Sequence, residues 1–347
     1  MDGSLGGIRY PWETPPAPGE AIEVAEGVLW LRLPLPMTLD HVNIYALDDG
    51  DGWTIIDTGM SSRKSRAIWE SLLAGPLKGK PVTRVVMTHH HPDHVGLVGW
   101  FMREHGATLR ATRVAWLLAR MLTLDVEEVP SPQAITFRKR AGASPAYMEK
   151  FARERPFNFA DMVEPIPVGF LRMKEGEVIR MGGRDWDIRL GNGHAPEHAT
   201  FWSRDDNLVI SGDQIIASIS PNLGVYPQQP EEDPLSDWLE ACHRLAPFAR
   251  EDHLVLAGHK LPFTGLPLRM HQLIENHVGA LKRLSAWLET PRVAADCFPP
   301  LFKREIDEGT FGLALVEAIA HLNHLHQKGE VTRHLREDGA YLYQTRG

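Results

Sequence analysis

No part of this sequence constrains the chain more than its histidine-rich stretch, THHHPDHVG at residues 88–96. Four histidines and an aspartate lie within six residues there, directly after the apolar run 82–87, which has the composition of a buried strand. Imidazole and carboxylate groups suit zinc, and also iron and manganese. The spacing His-x-His-x-Asp-His therefore predicts a metal site, and its candidate ligands are His89, His91, Asp93 and His94.

Two other interpretations of this stretch are a histidine-rich surface loop and the remnant of an affinity tag. A tag lies at a terminus, and it has neither the aspartate nor a preceding strand. Pro92 also stiffens the turn between the candidate ligands. The metal site is the favoured interpretation.

The pattern resembles the signature of the metallo-β-lactamase superfamily, and further motifs that resemble those of the family follow it in the expected order over roughly residues 22 to 262. This resemblance implies an α+β fold, a four-layer αββα sandwich with metals at the edges of its sheets. The motifs outside the histidine stretch are represented by Asp57 in IIDTG, His194 in GHAPEH, Asp213 in SGD and His259 in AGH.

The resemblance also implies two metal sites that share a carboxylate. His194 joins His89 and His91 at the first metal, His259 joins Asp93 and His94 at the second, and Asp213 bridges the two. An aspartate at position 213, with no cysteine nearby, resembles the glyoxalase II, lactonase and phosphodiesterase branches. The expected cofactors are two divalent ions, with zinc preferred over iron and manganese.

Two further residues are expected in the outer shell of the metals. Asp57 is expected to brace the histidine loop, because outer-shell partners orient metal ligands; its alternative role is to cap a helix from about Ser61 to Ala74. His198 matches a position that is usually not a ligand. Ala195 and Glu197 depart from the common Gly-His-Thr-x-Gly-His form, which leaves open which substrate group approaches there.

The chain is divided by composition into three predicted parts. Residues 1–20 form an irregular arm, 21–264 the metallo-β-lactamase domain, and 265–347 a C-terminal module of helices with a small β-wing. Within the domain, residues 115–170 are predicted to be an inserted helical cap, interrupted at Pro130 to Pro132. Six of its side chains could line an apolar or acyl pocket, or simply pack a small core: Met121, Met148, Phe157, Phe159, Met162 and Phe170.

Charge and composition exclude several classes of protein. The formal net charge of −8 argues against a strong electrostatic grip on nucleic acid. Two cysteines form no disulfide framework, so we expect a reducing, cytoplasmic compartment. Residues 1–20 lack the apolar core of a signal peptide, and no run of about 18 apolar residues predicts a membrane span.

A homodimer through the C-terminal helices is plausible.

The function these features favour is a dinuclear metal-dependent hydrolase of a small ester, thioester or lactone. Two divalent metals would activate a bridging hydroxide, and Asp93 could accept or orient its proton. Tyr226 could donate a hydrogen bond to a developing oxyanion, although a tyrosine in such a loop more often packs.

Two alternatives stay open. One is an endoribonuclease or phosphodiesterase with the same metal centre, because the C-terminal module resembles that of the lactamase-like endoribonucleases. Its wing carries a modest basic cluster, Lys328, Arg333, His334 and Arg336. The other is a non-catalytic binding protein on the same fold, which the complete ligand set disfavours.

Overall fold

A computed structural model describes residues 7–302 and 304–346 of the protein, so the first six residues of the predicted arm lie outside it. The chain forms two compact units. The first unit comprises the residues up to 126, residues 158–221 and residues 245–270, and the second comprises residues 127–157, 222–244 and those from 271 onward.

The first unit contains a seven-stranded sheet whose strands lie in sequence order among the described residues. Its strands are β1 (Ile22–Ala25), β2 (Val28–Pro34), β3 (His41–Asp48), β4 (Trp53–Ile56), β5 (Val82–Val86), β6 (Thr108–Ala111) and β7 (Leu171–Arg172). Strands β1 to β4 pair antiparallel, and β4 to β7 pair parallel. The parallel strands end at the same edge, where the histidine stretch leaves β5.

A second sheet of the same unit has five strands in the order β12-β11-β10-β9-β8. They are β8 (Val178–Met181), β9 (Arg184–Gly191), β10 (His198–Ser203), β11 (Leu208–Gly212) and β12 (Leu254–Ala257). The turn between β8 and β9 is Gly182-Gly183, and both residues have positive φ, at 59° and 72°. This is the backbone that a two-residue hairpin turn requires.

The two sheets enclose one apolar core, and helices cover the other face of the larger sheet. Trp30 and Tyr45 of the first sheet are buried with Trp186 and Phe201 of the second. The helices of the unit are α1 (Arg63–Ala74), α2 (Pro92–Val95), α3 (Val98–Glu104) and α4 (Arg113–Leu124). Alternate residues of the central strands, such as Ile44, pack into the core below α1, α3 and α4. This arrangement confirms the predicted α+β fold class.

The second unit is mainly helical. Its elements are α5 (Pro132–Arg140), α6 (Pro145–Arg153), α7 (Pro234–Leu245), α8 (Leu266–Trp287), α9 (Phe298–Leu301), α10 (Glu308–Gln327), β13 (Val331–Leu335) and β14 (Tyr341–Thr345), with the last residue of α7 and the first five of α8 in the first unit. Leu284, Leu315 and Leu322 form its core with Tyr343 of the antiparallel β13–β14 pair. No helix of the described ranges has the length and apolar character of a membrane span.

The division into units differs from the predicted boundaries in the region of the cap. Residues 127–157, which include α5 and α6, group with the C-terminal elements rather than with the first unit. Phe137 and Ala141 explain why, because they are buried in the same apolar core as Leu284. The interruption predicted at 130–132 lies between the end of α4 and the start of α5. Pro132 begins α5, and Ser131 caps it by accepting a hydrogen bond from the Ala134 N–H.

Candidate metal centre

Three histidines from two strand ends form a first group of ligand atoms. His89 and His91 follow β5, and His194 follows β9. One ring nitrogen from each lies within 4.8 Å of the others, and the His89 Nε2 to His91 Nδ1 distance is 3.0 Å. The triad that the resemblance implied for the first metal is therefore brought together by the fold.

A second group contains Asp93, His94 and His259, whose ligand atoms also lie within 4.8 Å of one another. Asp93 and His94 lie on the short helix α2, and His259 follows β12. The carboxylate oxygen Oδ2 of Asp93 is 3.3 Å from His259 Nε2 and 3.7 Å from His94 Nε2. The second predicted triad is thus also assembled, from residues far apart in sequence.

Asp213 contacts both groups. Its Oδ2 lies 3.1 Å from His259 Nε2, 3.4 Å from His94 Nε2 and 3.5 Å from His194 Nε2. Gly258 makes this position possible, because a Cβ there would collide with Asp213 Oδ1 and with the His94 ring. One carboxylate at the end of β11 therefore joins the two triads, as a bridging ligand must.

Asp57 holds the histidine loop from below. Its Oδ1 accepts a hydrogen bond from the Thr88 N–H at 2.8 Å, and its Oδ2 accepts from the Thr88 hydroxyl at 2.7 Å. The same Oδ2 lies 2.8 Å from His94 Nδ1. A proton on Nδ1 leaves the Nε2 lone pair of His94 pointing into the site. The alternative role as a helix cap falls to Ser62, which accepts from the Ser65 N–H at the start of α1.

His198 lies beside the ligands and contacts Asp213 through the backbone. Its Nε2 accepts a hydrogen bond from the Asp213 N–H at 3.1 Å, and its ring stacks on His89 with centroids 4.5 Å apart. It belongs to neither of the two predicted triads. These contacts fit the outer-shell position expected for it.

Two residues of β3 also hold the site, and the sequence analysis did not identify them as such. The His41 carbonyl accepts a hydrogen bond from His259 Nδ1 at 2.7 Å, and the Asn43 amide donates to the carbonyls of Ala257 and Lys260 at 2.9 and 2.7 Å. The signal for them was the presence of a histidine and an asparagine in a strand whose other residues up to Leu47 are apolar or aromatic.

Electrostatics separates the two triads. Burial and the neighbouring imidazoles hold the pKa of His89 and of His91 well below the usual value. Burial also opposes a charge on His94, but Asp213, Asp93 and Asp57 outweigh it and raise the pKa of His94 well above that value. Burial likewise lowers the pKa of His259, yet contact with Asp213 and Asp93 raises it to about 9. The carboxylates of the second triad therefore stabilise positive charge there, which a proton supplies in the absence of a metal and a bound cation would supply in its place.

The residues present fit divalent cations. Within the described ranges, His94 Nε2 and Asp213 Oδ1 are buried and make no hydrogen bond. Buried polar atoms normally have partners, so two such atoms in a cluster of lone pairs indicate that a cation belongs between them. The donors are imidazoles and carboxylates, and the two free cysteines, Cys242 and Cys297, belong to neither triad.

Glu197 stands where the related motif has glycine, and the structure shows how it is accommodated. Its φ is +49°, in the left-handed region that favours glycine. Its side chain accepts a hydrogen bond from the Val114 N–H at 3.0 Å, in the first turn of α4, and its carbonyl accepts from the Thr112 hydroxyl at 2.9 Å. The loop that carries His194 is thereby fastened to α4.

Comparison with known proteins agrees with this geometry. Residues 37–285 match the model of the metallo-β-lactamase superfamily, and residues 281–346 match the C-terminal domain of metallo-β-lactamase-like proteins. The chain belongs to the metallo-β-lactamase superfamily. A structure of a β-lactamase domain protein from Burkholderia ambifaria is 36% identical, with a TM-score of 0.90 and 98% of each chain covered.

Two further relatives extend the likeness along nearly the whole chain. The metallo-β-lactamase family protein TTHA1429 from Thermus thermophilus is 27% identical, with a TM-score of 0.77, covering 93% of this chain and all of that one. The probable metallo-hydrolase YqjP of Bacillus subtilis is 24% identical over 91% of this chain and 98% of its own. The protein is thus a metallo-hydrolase of the superfamily, and membership implies divalent metal ions.

Tyr226 belongs to the second unit, whereas the predicted ligands belong to the first. Its side chain is 46% exposed. Partial burial and, to a smaller extent, the nearby Glu317 carboxylate raise the pKa of Tyr226, so the phenol is neutral at physiological pH and able to donate a hydrogen bond. Its role toward an oxyanion stays a prediction.

Proposed function

We propose that this superfamily member is a dinuclear metal-dependent hydrolase of a small ester, thioester or lactone. The observation that carries the proposal is the position of Asp213, whose one carboxylate touches histidines of both triads. Residues His89, His91 and His194 would hold one ion, and Asp93, His94 and His259 the other. Two such ions would supply an activated water and a Lewis acid for the substrate oxygen.

Asp93 is the carboxylate best placed to handle a proton. Its side chain is 19% exposed, compared with 7% for Asp213 and 3% for Asp57. Asp57 is committed to Thr88 and His94 by hydrogen bonds. A general base must reach a reacting atom from within the site, and Asp93 combines that access with contact to His259.

Apolar surroundings of the histidine loop support an acyl substrate. Phe159 stacks on His90 with centroids 6.3 Å apart, and Trp116 stacks on Phe170 at 4.6 Å in the same unit. Phe159, Met162 and Phe170, which the sequence analysis offered as pocket or core residues, lie partly buried against the core of this unit. Apolar side chains that remain partly exposed in the unit of the metal centre favour a substrate with an apolar body.

The basic cluster of the wing gives less support to the phosphodiesterase alternative. Arg333 pairs with Glu231 at 2.8 Å, and Arg336 pairs with Asp338 at 2.6 Å. Two of its cations therefore already have carboxylate partners, which reduces the positive field available to a nucleic acid. We accordingly propose a small-molecule substrate.

Activity assays separate these functions. The metal-loaded protein is tested against p-nitrophenyl esters, a thioester and a lactone, and in parallel against bis-p-nitrophenyl phosphate and a short RNA. We expect turnover of at least one carbonyl substrate, its loss in His194→Ala, and its retention in His243→Ala, which removes an exposed histidine on α7. Turnover of phosphodiesters alone would refute the ester proposal, and no turnover of any substrate would favour a binding protein.

A further inference from the structure

The second unit contains a cavity of about 440 Å³ that the proposed chemistry does not use. Its walls come from α5, from residues 227–231, from α10 and from the two strands of the wing. The volume lies within the range of small-molecule sites, which are mostly apolar with a few polar groups that fix the ligand. All of its lining residues belong to one compact unit, so the cavity is a feature of that unit itself.

Two guanidinium groups lie beside a tyrosine in the wall and supply its positive charge. The Cζ atoms of Arg140 and Arg333 lie 4.7 and 4.4 Å from the centre of the Tyr341 ring. Arg140 also donates a hydrogen bond to the Tyr341 hydroxyl. Stacking on an aromatic ring holds a guanidinium in a fixed orientation while leaving N–H groups at its edge for a ligand.

The charges of the wall do not balance. Arg333 pairs with Glu231, whose side chain is 59% exposed. No carboxylate among residues 7–302 and 304–346 forms an ion pair with Arg140. Two cations therefore face one anion in the lining, in a chain whose net charge is −8. Such a surplus favours an anionic group beside Arg140.

The remainder of the wall combines apolar side chains with the uncharged polar residues Gln133, Thr136 and Asn323. Phe137 and Ile319 come from the two helices, and three prolines, Pro132, Pro227 and Pro230, complete the lining on that side. Tyr343 adds a further ring, and burial raises its pKa to about 12, so it stays an uncharged donor. A ligand that satisfies both parts must combine an anionic head with an apolar body.

We propose that this cavity of the second unit binds a small amphiphilic anion, with a carboxylate or phosphate head at Arg140 and an apolar body against Phe137, Ile319 and the prolines. The site is separate from the candidate metal centre in its residues, and the proposal does not depend on the proposed hydrolase function. Carboxylate and phosphate share the chemistry that a guanidinium recognises, and the choice of probe distinguishes them.

Isothermal titration of the metal-loaded, full-length protein tests the proposal. The probes are hexanoate, hexyl phosphate and hexan-1-ol, which share one alkyl chain and differ in the head group. We expect one of the anions or both to bind at one site per chain, and hexanol to bind at least about tenfold more weakly, since hydrogen bonds to charged groups are among the strong ones. Equal binding of hexanol, or no binding of either anion, would overturn it.

Variants locate the site. Arg140→Gln removes the cation and is expected to weaken anion binding about tenfold or more. Arg153→Gln, which removes an exposed cation on α6 that is not in the lining, is the matched control and is expected to bind normally. Equal affinities of the two variants would contradict the assignment, and thermal melts of both check that they are folded.

Two more variants keep the test decisive. Thr136→Phe fills the cavity without altering its charge, so it is expected to abolish binding. This variant tests the site independently if Arg140→Gln fails to fold. His194→Ala removes a candidate metal ligand, so binding that survives in it does not occur at the metal centre. Loss of anion binding in His194→Ala together with normal binding in Thr136→Phe would place the anion at the metals and refute the proposed site.

Discussion

Histidines cluster in both units of the protein, and the two clusters differ in what surrounds them. In the first unit the histidines meet Asp93 and Asp213, and buried ligand atoms such as His94 Nε2 make no hydrogen bond within the described residues. In the second unit the His321 Nδ1 donates to the Glu317 carbonyl at 2.8 Å, and His324 contacts Asp233 at 3.1 Å.

The difference shows that the number of histidines does not identify a metal site. The cluster of the second unit uses most of its ring nitrogens for internal contacts, including the 3.4 Å approach of His277 to His321, although His277 Nε2 is buried without a hydrogen bond among the described residues. No group of metal-ligand geometry is found there among the described residues. The cluster of the first unit instead directs several lone pairs at one point, together with carboxylates, and this is the property that a cation requires.

The largest expected effect comes from removing the shared carboxylate. Asp213→Ala should lower metal content and reduce hydrolytic activity by more than the roughly 10- to 100-fold typical of outer-shell residues, because the residue contacts both triads. Elemental analysis of the purified protein measures the metal. His321→Gln in the second cluster should keep full metal content, and an equal loss in this variant would remove the distinction between the clusters.

A smaller effect is expected from the residue below the site. Asp57→Asn keeps a side chain that tolerates the positive φ of 60°, but it weakens the hydrogen bonds to Thr88 and His94. We expect a loss of about 10- to 100-fold in metal affinity with the fold intact. Competition with a chromogenic chelator measures it. Asp187→Asn, at a surface pair with Arg204, is the control, and unchanged affinity in Asp57→Asn would show that the brace is dispensable.

The sequence was sufficient to predict the parts of this site that are local. His89, His91, Asp93 and His94 lie in one loop, so their convergence follows from the spacing of a single turn. Asp213, His194 and His259 required the resemblance to a family, because each lies after a different strand. The fold class was likewise predicted from the resemblance to the family.

The contacts that β3 makes with the ligand His259 could not be predicted in this way. The His41 carbonyl meets a histidine 218 positions away, and nothing in the composition of β3 indicates that pairing. That Phe137 of α5 joins the core of the C-terminal helices could not be predicted for a similar reason. Helical periodicity identifies an apolar face, but it does not show which core that face joins.

The pH dependence of stability tests the second cluster. Burial, and then the neighbouring His321, lowers the pKa of His277 to about 3, and burial lowers that of His321 to about 4. The unfolded chain therefore binds protons near pH 6.5 that the folded chain excludes, so stability is present above that pH and is lost as the pH falls toward 4. Each of the two histidines should lower the free energy of unfolding by roughly 1.4 kcal/mol as the pH falls from 7.5 to 5.5.

Urea unfolding at these two pH values measures the effect. The fall in stability should be smaller in His321→Gln than in the unmodified protein by about 1.4 kcal/mol. Taking the difference cancels the contributions of the other buried histidines. His243→Gln, on the exposed face of α7, should show the same fall as the unmodified protein. A fall that His321→Gln leaves unchanged would mean that this histidine is not buried as a neutral group.

The smallest expected effect concerns the loop of the first cluster, at Glu197. Its left-handed backbone costs about 1–2 kcal/mol, and its bond to the Val114 N–H returns an amount similar to a helix cap, about 1 kcal/mol. Glu197→Gly removes both the backbone strain and the hydrogen bond, so it should change the free energy of unfolding by less than about 1 kcal/mol. Glu197→Ala keeps the strain and loses the bond, so it should be the less stable of the two.

Urea unfolding and hydrolysis by both variants then decide what the departure from the common motif does. If Glu197→Gly keeps full activity while Glu197→Ala loses stability alone, the carboxylate serves to fasten the His194 loop to α4. If instead both variants change the preference among ester, thioester and lactone substrates at unchanged stability, Glu197 contacts the substrate. The first outcome is expected, because the carboxylate already accepts a hydrogen bond from the first turn of α4 and is thereby held against the helix.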